Sequence, residues 1–314
     1  MLAGRGRLPN EPGVYRFRDG RGRVLYVGRA TQLRSRVGSY WSDLGDRRHL
    51  VRMVAAVAAV EALVCDSVHE AAWLERNVLE HRKPRWNRVR GGMETPVYLG
   101  LTDSSAAPGL RLSYEPDAFG PYLGSQRVRQ ALSGLHRIRP LRYTGTRLTG
   151  AERAMAEKRG VTAADRTVLA AELAATLARD PEAVGRARAD LAALRDQAAA
   201  TLAFEVAGQI QEELAALDWI TAPQRVTSRE PGDFTAAGWS DGVLLTLTVR
   251  AGRLIDWAQR PCGERAAAPH LAATPGAWAG YAQRNAELAA ALTTAGSGSA
   301  AAPRGRSAPT AAPR

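Results

Sequence analysis

Two short runs near the start of the chain, Gly13-Val14-Tyr15-Arg16-Phe17 and Arg23-Val24-Leu25-Tyr26-Val27-Gly28, alternate apolar and polar positions loosely. They flank the turn-forming stretch Arg18-Asp19-Gly20-Arg21-Gly22. Alternation on both sides of a glycine-containing loop predicts a β-hairpin. The period then lengthens: Leu33 and Val37 predict a short helix with Thr31 as its N-cap, carrying Arg34 and Arg36. Arg47 to Val60 reads as a further amphipathic helix and Ala62-Leu63-Val64-Cys65 as a third strand. A longer helix opens at Ser67-Val68-His69-Glu70, a capping box in which hydroxyl and carboxylate can each satisfy a backbone N–H. The predicted fold is α+β, a small antiparallel sheet with packed helices.

Within that longer helix Glu75 is the most informative residue. Ala71, Ala72, Val78 and Leu79 lie three and four positions to either side, so helical periodicity sets its carboxylate in an apolar stripe. An unpaired charge there is costly, so it needs a companion, either a metal ion or an arginine. Pattern alone leaves both open. Taken singly, Tyr15 and Tyr26 read as packing aromatics, Arg36 as a solvated helix charge, and Gly13 and Gly28 as turn residues.

Taken together, Gly13-Val14-Tyr15, Tyr26-Val27-Gly28, Arg36, Glu75 and Asn87 of Pro84-Arg85-Trp86-Asn87 resemble the five-part signature of the GIY-YIG nucleases, in the form found in UvrC. The resemblance implies single-metal phosphodiester hydrolysis. Glu75 would be the sole protein ligand of a divalent cation, Mg²⁺ or Mn²⁺, with water and phosphate oxygens filling the other positions. Tyr15 and Tyr26 would lie near the attacking water, one of them as general base, although a free phenol with a pKa of about 10 needs a nearby cation for that task. Arg36 would contact the scissile phosphate, Asn87 would organise the site, and Arg29 and Arg34 would contact DNA. UvrC-like chains usually carry Lys where Arg29 stands, which keeps the charge but not a ready proton shuttle.

Beyond this region, strand-like Val97 to Leu101 and Leu110 to Tyr114 precede Phe119-Gly120-Pro121-Tyr122 and a helix through Arg127, Leu132 and Leu135. The Gly-Pro-Tyr turn again resembles UvrC. The four cysteines that usually follow there are missing from Leu141 to Gly145, so no iron–sulfur cluster is expected. Thr149 to Pro181 reads as Ala-rich helix without assignable chemistry. Ala183 to Leu217 reads as a helical pair, and its segment Leu202 to Ile210 is similar to the UVR motif through which UvrC contacts the helicase subunit UvrB. Leu202, Phe204, Glu205 and Ile210 are the expected partner contacts, while Gln211-Glu212 replaces the usual Arg-Asp pair. An internal hairpin packed on its own chain is the alternative. Val243 to Val249 and Leu254 to Trp257 read as strands about a turn at Ala251-Gly252, and Tyr281 to Leu292 as a helix.

The expected organisation is therefore a GIY-YIG domain at 9–92, a linker region at 93–182, the hairpin at 183–222, a small β/α region at 223–295 and a disordered tail at 296–314. Met1 to Asn10 reads as a flexible lead. A length of 314 residues accommodates two or three small domains. The net charge of +12 favours an anionic partner, although almost all of the basic side is arginine in an Ala-rich chain. Cys65 and Cys262 provide no disulfide framework and no CxxC metal site. His49, His69 and His81 lack a spaced second ligand and read as surface or structural. Absence of a signal peptide or long apolar run points to the cytoplasm, away from membranes.

The expected function is a metal-dependent endonuclease making one incision in damaged or distorted duplex DNA with UvrB. The alternative is a non-cutting DNA- and UvrB-binding accessory protein on the same platform. A stand-alone restriction or recombination nuclease would have no need of the UVR-like hairpin.

Overall fold

The computed structural model describes residues 5–42, 49–91 and 94–297. The hairpin predicted at the start of the chain is β1 (Gly13–Arg18) and β2 (Val24–Ala30), joined by a turn in which the Asp19 carboxylate accepts from the amides of Arg21 and Arg23, both at 2.9 Å. A third strand, β3 (Ala59–Val64), pairs with the other side of β1, so the antiparallel order is β2-β1-β3. The short helices α1 (Leu33–Gly38) and α2 (Val51–Ala56) cover one face. The longer α3 (Val68–His81) packs on the other, where Val14, Val27 and Leu63 meet Ala71, Leu74 and Val78.

Several local expectations change for identifiable reasons. Gln32, not Thr31, is the N-cap of α1, and it makes no side-chain capping bond. The carbonyls of Glu11 and Pro9 accept from Leu33 and Arg34 instead, so the preceding segment satisfies the helix start. That segment is no loose lead. Arg5–Arg7 form a 3-10 turn and Leu8 is wholly buried among Tyr15, Leu33 and Val37. Residues 1–4 lie outside the described residues. The helix expected from Arg47 to Val60 is only the six residues of α2, because β3 already begins at Ala59; residues 43–48 also lie outside the description. The capping box of α3 is half formed. Ser67 Oγ accepts from the Glu70 amide at 3.0 Å, but the Glu70 carboxylate accepts from the amides of Asp66 and Arg225 instead of Ser67.

A second antiparallel sheet, β4 (Pro96–Thr102), β5 (Gly109–Ser113) and β6 (Phe119–Leu123), has the order β5-β4-β6. The Gly-Pro-Tyr stretch lies in β6 and is not a turn. Helices α4 (Ser125–Ile138), α5 (Gly150–Arg159) and α6 (Arg166–Leu177) follow, then the antiparallel pair α7 (Pro181–Ala200) and α8 (Phe204–Thr221). Most of the pair's apolar stripe packs inward: Leu191, Ile210 and Leu217 join Val128 and Leu135 of α4 in one core.

The last sheet holds a strand that alternation did not reveal, β7 (Phe234–Ser240), beside β8 (Val243–Arg250) and β9 (Arg253–Pro261). Helices α9 (Glu264–Ala272) and α10 (Gly276–Ser297) follow it; the tail expected from residue 296 therefore starts within α10, and residues 298–314 lie outside the described residues. This sheet shares a continuous core with α3 and the first sheet, through Leu245, Leu254, Trp257 and Ala282. Arg16 fastens the two. Its buried guanidinium reaches Glu61, the Asp256 carboxylate at 2.7 Å and the Trp257 carbonyl, and lies 4.0 Å from the centre of the Trp257 ring.

Candidate active site

The pairing of β1 with β2 sets Tyr15 opposite Gly28 and Phe17 opposite Tyr26. A Cβ on Gly28 would fall 2.6 Å from the Tyr15 hydroxyl and 2.8 Å from a ring carbon of Tyr26. Glycine is thus required by the close approach of two aromatic rings, not by a turn. Tyr15 is wholly buried, and its hydroxyl lies 2.8 Å from that of Tyr40. The rings of Tyr15, Tyr26 and Tyr40 form a triangle with centroids 6.0 to 6.4 Å apart, backed by Phe17. Arg36, one helical turn before Tyr40, holds its guanidinium 5.9 Å from the Tyr40 ring. Sequence reasoning missed Tyr40, although the spacing of four from Arg36 was present in the sequence as a signal.

The electrostatics of this cluster follow from burial. Desolvation pushes the Tyr15 phenol well above its ordinary pKa; Tyr40 and Tyr26 add to the shift and Arg36 opposes it. Tyr26 is only half-buried. Burial, then Tyr40 and the Glu75 carboxylate, raise its phenol well above the ordinary value, again against Arg36. Both phenols are therefore neutral near pH 7 unless a further cation reaches them.

Glu75 projects from the apolar stripe that the sequence predicts: Ala71, Ala72, Val78 and Leu79 are all buried around it. Its carboxylate has a companion, Arg29, with Nε 3.4 Å from Oε2. Arg29 Nη2 is held in turn by Glu94 at 2.7 Å. Burial raises the Glu75 carboxyl above its usual value, with Arg29 and, more weakly, Arg36 opposing. Among the described residues no group of three or more His, Cys, Asp or Glu is placed to hold a metal. The donor set here, one desolvated carboxylate at the edge of a phenol cluster, fits a hard cation that draws its other ligands from water and phosphate.

Asn87 acts on the backbone. Its amide donates to the Val27 carbonyl at 2.7 Å and accepts from the Val27 amide at 3.0 Å, closing the outer edge of β2 between Tyr26 and Gly28. It is a positioning residue for the strand that carries Tyr26. Arg34 lies on the exposed side of α1, with Nε on the Leu8 carbonyl at 2.6 Å. The remaining sequence-predicted contacts are remote from the cluster, on the hairpin. Leu202 and Phe204 are 74 % and 67 % exposed at its tip and Glu205 is exposed beside them, whereas Ile210, at 2 %, is packed inside the chain's own core and offers no outer surface. Leu202 also has φ 60°, the left-handed position that closes α7 and usually belongs to glycine.

A hairpin, a short arginine-bearing helix and a glutamate-bearing helix gathered on a three-stranded sheet define a GIY-YIG domain. Comparison with known proteins assigns it more closely: the family model for the UvrC-like GIY-YIG domain matches residues 11–88, and this chain carries that domain. The UvrABC system protein C of Mycolicibacterium vanbaalenii is 42% identical over 144 residues, 44% of this chain and 21% of that protein. That of Brucella suis biovar 1 is 32% identical over 236 residues, 70% of this chain and 38% of that protein. The chain thus spans well under half the length of these relatives. A solved structure, the GIY-YIG N-terminal endonuclease domain of UvrC from Thermotoga maritima bound to its catalytic magnesium, is 31% identical, covering 26% of this chain and 88% of that one, with a TM-score of 0.24.

Proposed function

We propose that the protein is a divalent-metal-dependent DNA endonuclease that hydrolyses one phosphodiester bond, making the 3′ incision of nucleotide excision repair together with UvrB. One observation carries the reading: Tyr26, Tyr15, Tyr40, Arg36 and Glu75, drawn from two strands and two helical segments, converge at one end of the sheet. Packing alone has no need of an arginine and a carboxylate at the rim of a phenol cluster.

In this reading Glu75 would hold Mg²⁺ or Mn²⁺. The bound ion would lower the pKa of water and neighbouring phenol and neutralise charge on the leaving oxygen. Tyr26 is the general base, because it is the half-buried member of the pair; Tyr15, wholly enclosed, orients the cluster through Tyr40. Arg36 stabilises charge developing on the phosphate and Arg29 exchanges its carboxylate partners for phosphate. UvrB is recruited through the exposed Leu202, Phe204 and Glu205. The alternative, a non-cutting accessory protein, is favoured by the Arg29 guanidinium that already pairs with Glu75.

The test is incision of a lesion-containing duplex by the wild type and Glu75→Gln, in Mg²⁺ or EDTA, with and without UvrB. Metal-dependent cutting that vanishes in the folded variant supports the nuclease. Retained DNA or UvrB binding without any cutting supports the accessory protein.

A further inference from the structure

On the face of the sheet away from the tyrosines lies a cavity of about 450 Å³, walled by the β1–β2 turn, the segment after α3 and β9. Val24 and Val27 form part of its floor. Seven arginine or lysine side chains line it and Asp256 is its one carboxylate. Some of that charge is internally answered. Arg16 and Arg18 pair with Glu61, Arg16 also with Asp256, and Arg23 with Asp19. Arg21, Arg82 and Arg85 have no acidic partner among the described residues, and the Lys83 ammonium donates to the Asn87 carbonyl at 2.6 Å. The chain as a whole mixes its charges, 43 basic against 31 acidic residues. A concave surface that gathers exposed cations without carboxylate partners sets up a positive field that an anion relieves.

We infer that this cavity is a second phosphate-binding site, which grips the phosphodiester backbone of the nucleic acid at a distance from the scissile bond; the inference rests on the reading of the chain as a DNA nuclease. Two features favour a strand over a small anion. The unpaired cations are spread over two segments, the hairpin turn and the loop from Arg82 to Arg85, instead of converging on one point. That loop continues into Asn87, which pins Val27, so the same backbone that carries the cations also borders the candidate active site. The site is composite as well: β9 supplies one wall, held in place by Arg16.

The test is equilibrium binding of a fluorescein-labelled duplex by the full chain in EDTA, from about 50 to 200 mM salt. Arg21→Ala, Arg82→Ala and Arg85→Ala combined should weaken binding about tenfold or more and lower the slope of log K against log salt by about two to three. Arg186→Ala, Arg188→Ala and Arg195→Ala, which remove the same charge from paired arginines on α7, should change binding less than about twofold. The single variant Arg21→Glu, on the exposed turn, should weaken binding in the same direction, and thermal melts establish that each variant is folded. Equal losses from both triple variants, or no loss from the first, overturn the inference. So does binding of inorganic phosphate or a poly-glutamate peptide that the first triple variant abolishes while duplex affinity stays unchanged. Because binding is read without metal, absence of incision alongside the cavity effect fails only the nuclease reading. Normal incision with an unchanged salt slope fails only the cavity.

Discussion

Asn87 and Asn285 do the same work at opposite edges of one sheet. Asn87 bonds both backbone groups of Val27 on β2; Asn285, wholly buried on α10, accepts from the Val64 amide at 2.7 Å and donates to its carbonyl at 3.2 Å on β3. Each side chain stands in for the next strand, so neither edge of the three-stranded sheet is left open at these positions.

Replacing either asparagine should separate stability from chemistry. Asn285→Ala leaves two buried backbone groups unpaired and should lower unfolding stability by about 2–4 kcal/mol in denaturant titrations. Asn87→Ala should cost incision rate more than stability, because Val27 lies next to Tyr26. A stability loss confined to Asn87→Ala would contradict this division.

Gly28→Ala should act as a lesion in the site although it adds one methyl group. The new carbon collides with the Tyr15 hydroxyl, so Tyr15 must leave Tyr40. The expected loss of stability is about 1–3 kcal/mol, and the incision rate should fall by more than the residual folded fraction explains. Urea unfolding and single-turnover cleavage on the same preparation decide it.

Arg29→Ala should tighten metal binding while weakening substrate binding, since Arg29 both competes for Glu75 and carries a charge suited to phosphate. Mn²⁺ titration followed by electron paramagnetic resonance checks the first half. An unchanged Mn²⁺ affinity would show that the pair does not oppose the metal.

His69 sets a pH dependence. It is buried against Trp219, with ring centroids 4.4 Å apart, and accepts from Trp73 Nε1 at 3.1 Å; burial, helped by Arg179, pushes its pKa down to about 3. The folded pKa is below the unfolded one, so the stabilising contribution is complete above the unfolded value near 6.5 and is lost as pH falls toward 3. Between those limits His69 should cost about 1.4 kcal/mol per pH unit of acidification. Unfolding free energies of wild type and His69→Gln at several pH values should differ by that slope; parallel curves would refute it.

At the hairpin tip, Leu202→Gly should stabilise the fold by about 1 kcal/mol, because it relieves a left-handed leucine that is 74 % exposed. The same change, like Phe204→Ala, should weaken UvrB binding in titrations. Unaltered UvrB affinity in both variants would remove the tip from the interface.

Local periodicity made the hairpin, α3 and the burial around Glu75 legible, because each depends on neighbours within one or two turns. What escaped depends on distant partners. Nothing in the period of α10 marks Asn285 as the edge cap of a strand more than two hundred residues earlier. The capping carbonyls of Pro9 and Glu11 made the lead a structural segment and took the role expected of Thr31. β7 hides because Ala236, Ala237 and Gly238 are small on both faces, and a Cβ on Gly238 would meet the Ala282 carbonyl at 2.2 Å. Gly28 was visible as a glycine, but its reason, two rings meeting over it, belongs to the pairing of β1 with β2.

The contact between Asn285 and Val64 also gives the chain a timetable. During synthesis the first strands leave the ribosome long before α10 exists, so the edge of β3 waits uncapped while the linker and hairpin emerge. Leu292, buried beside Val60 and Met53, belongs to the same late arrival. The sheet that bears the tyrosines is finished only when α10 closes over it, so a nascent chain that has not yet reached α10 carries every predicted catalytic residue on an incompletely closed scaffold.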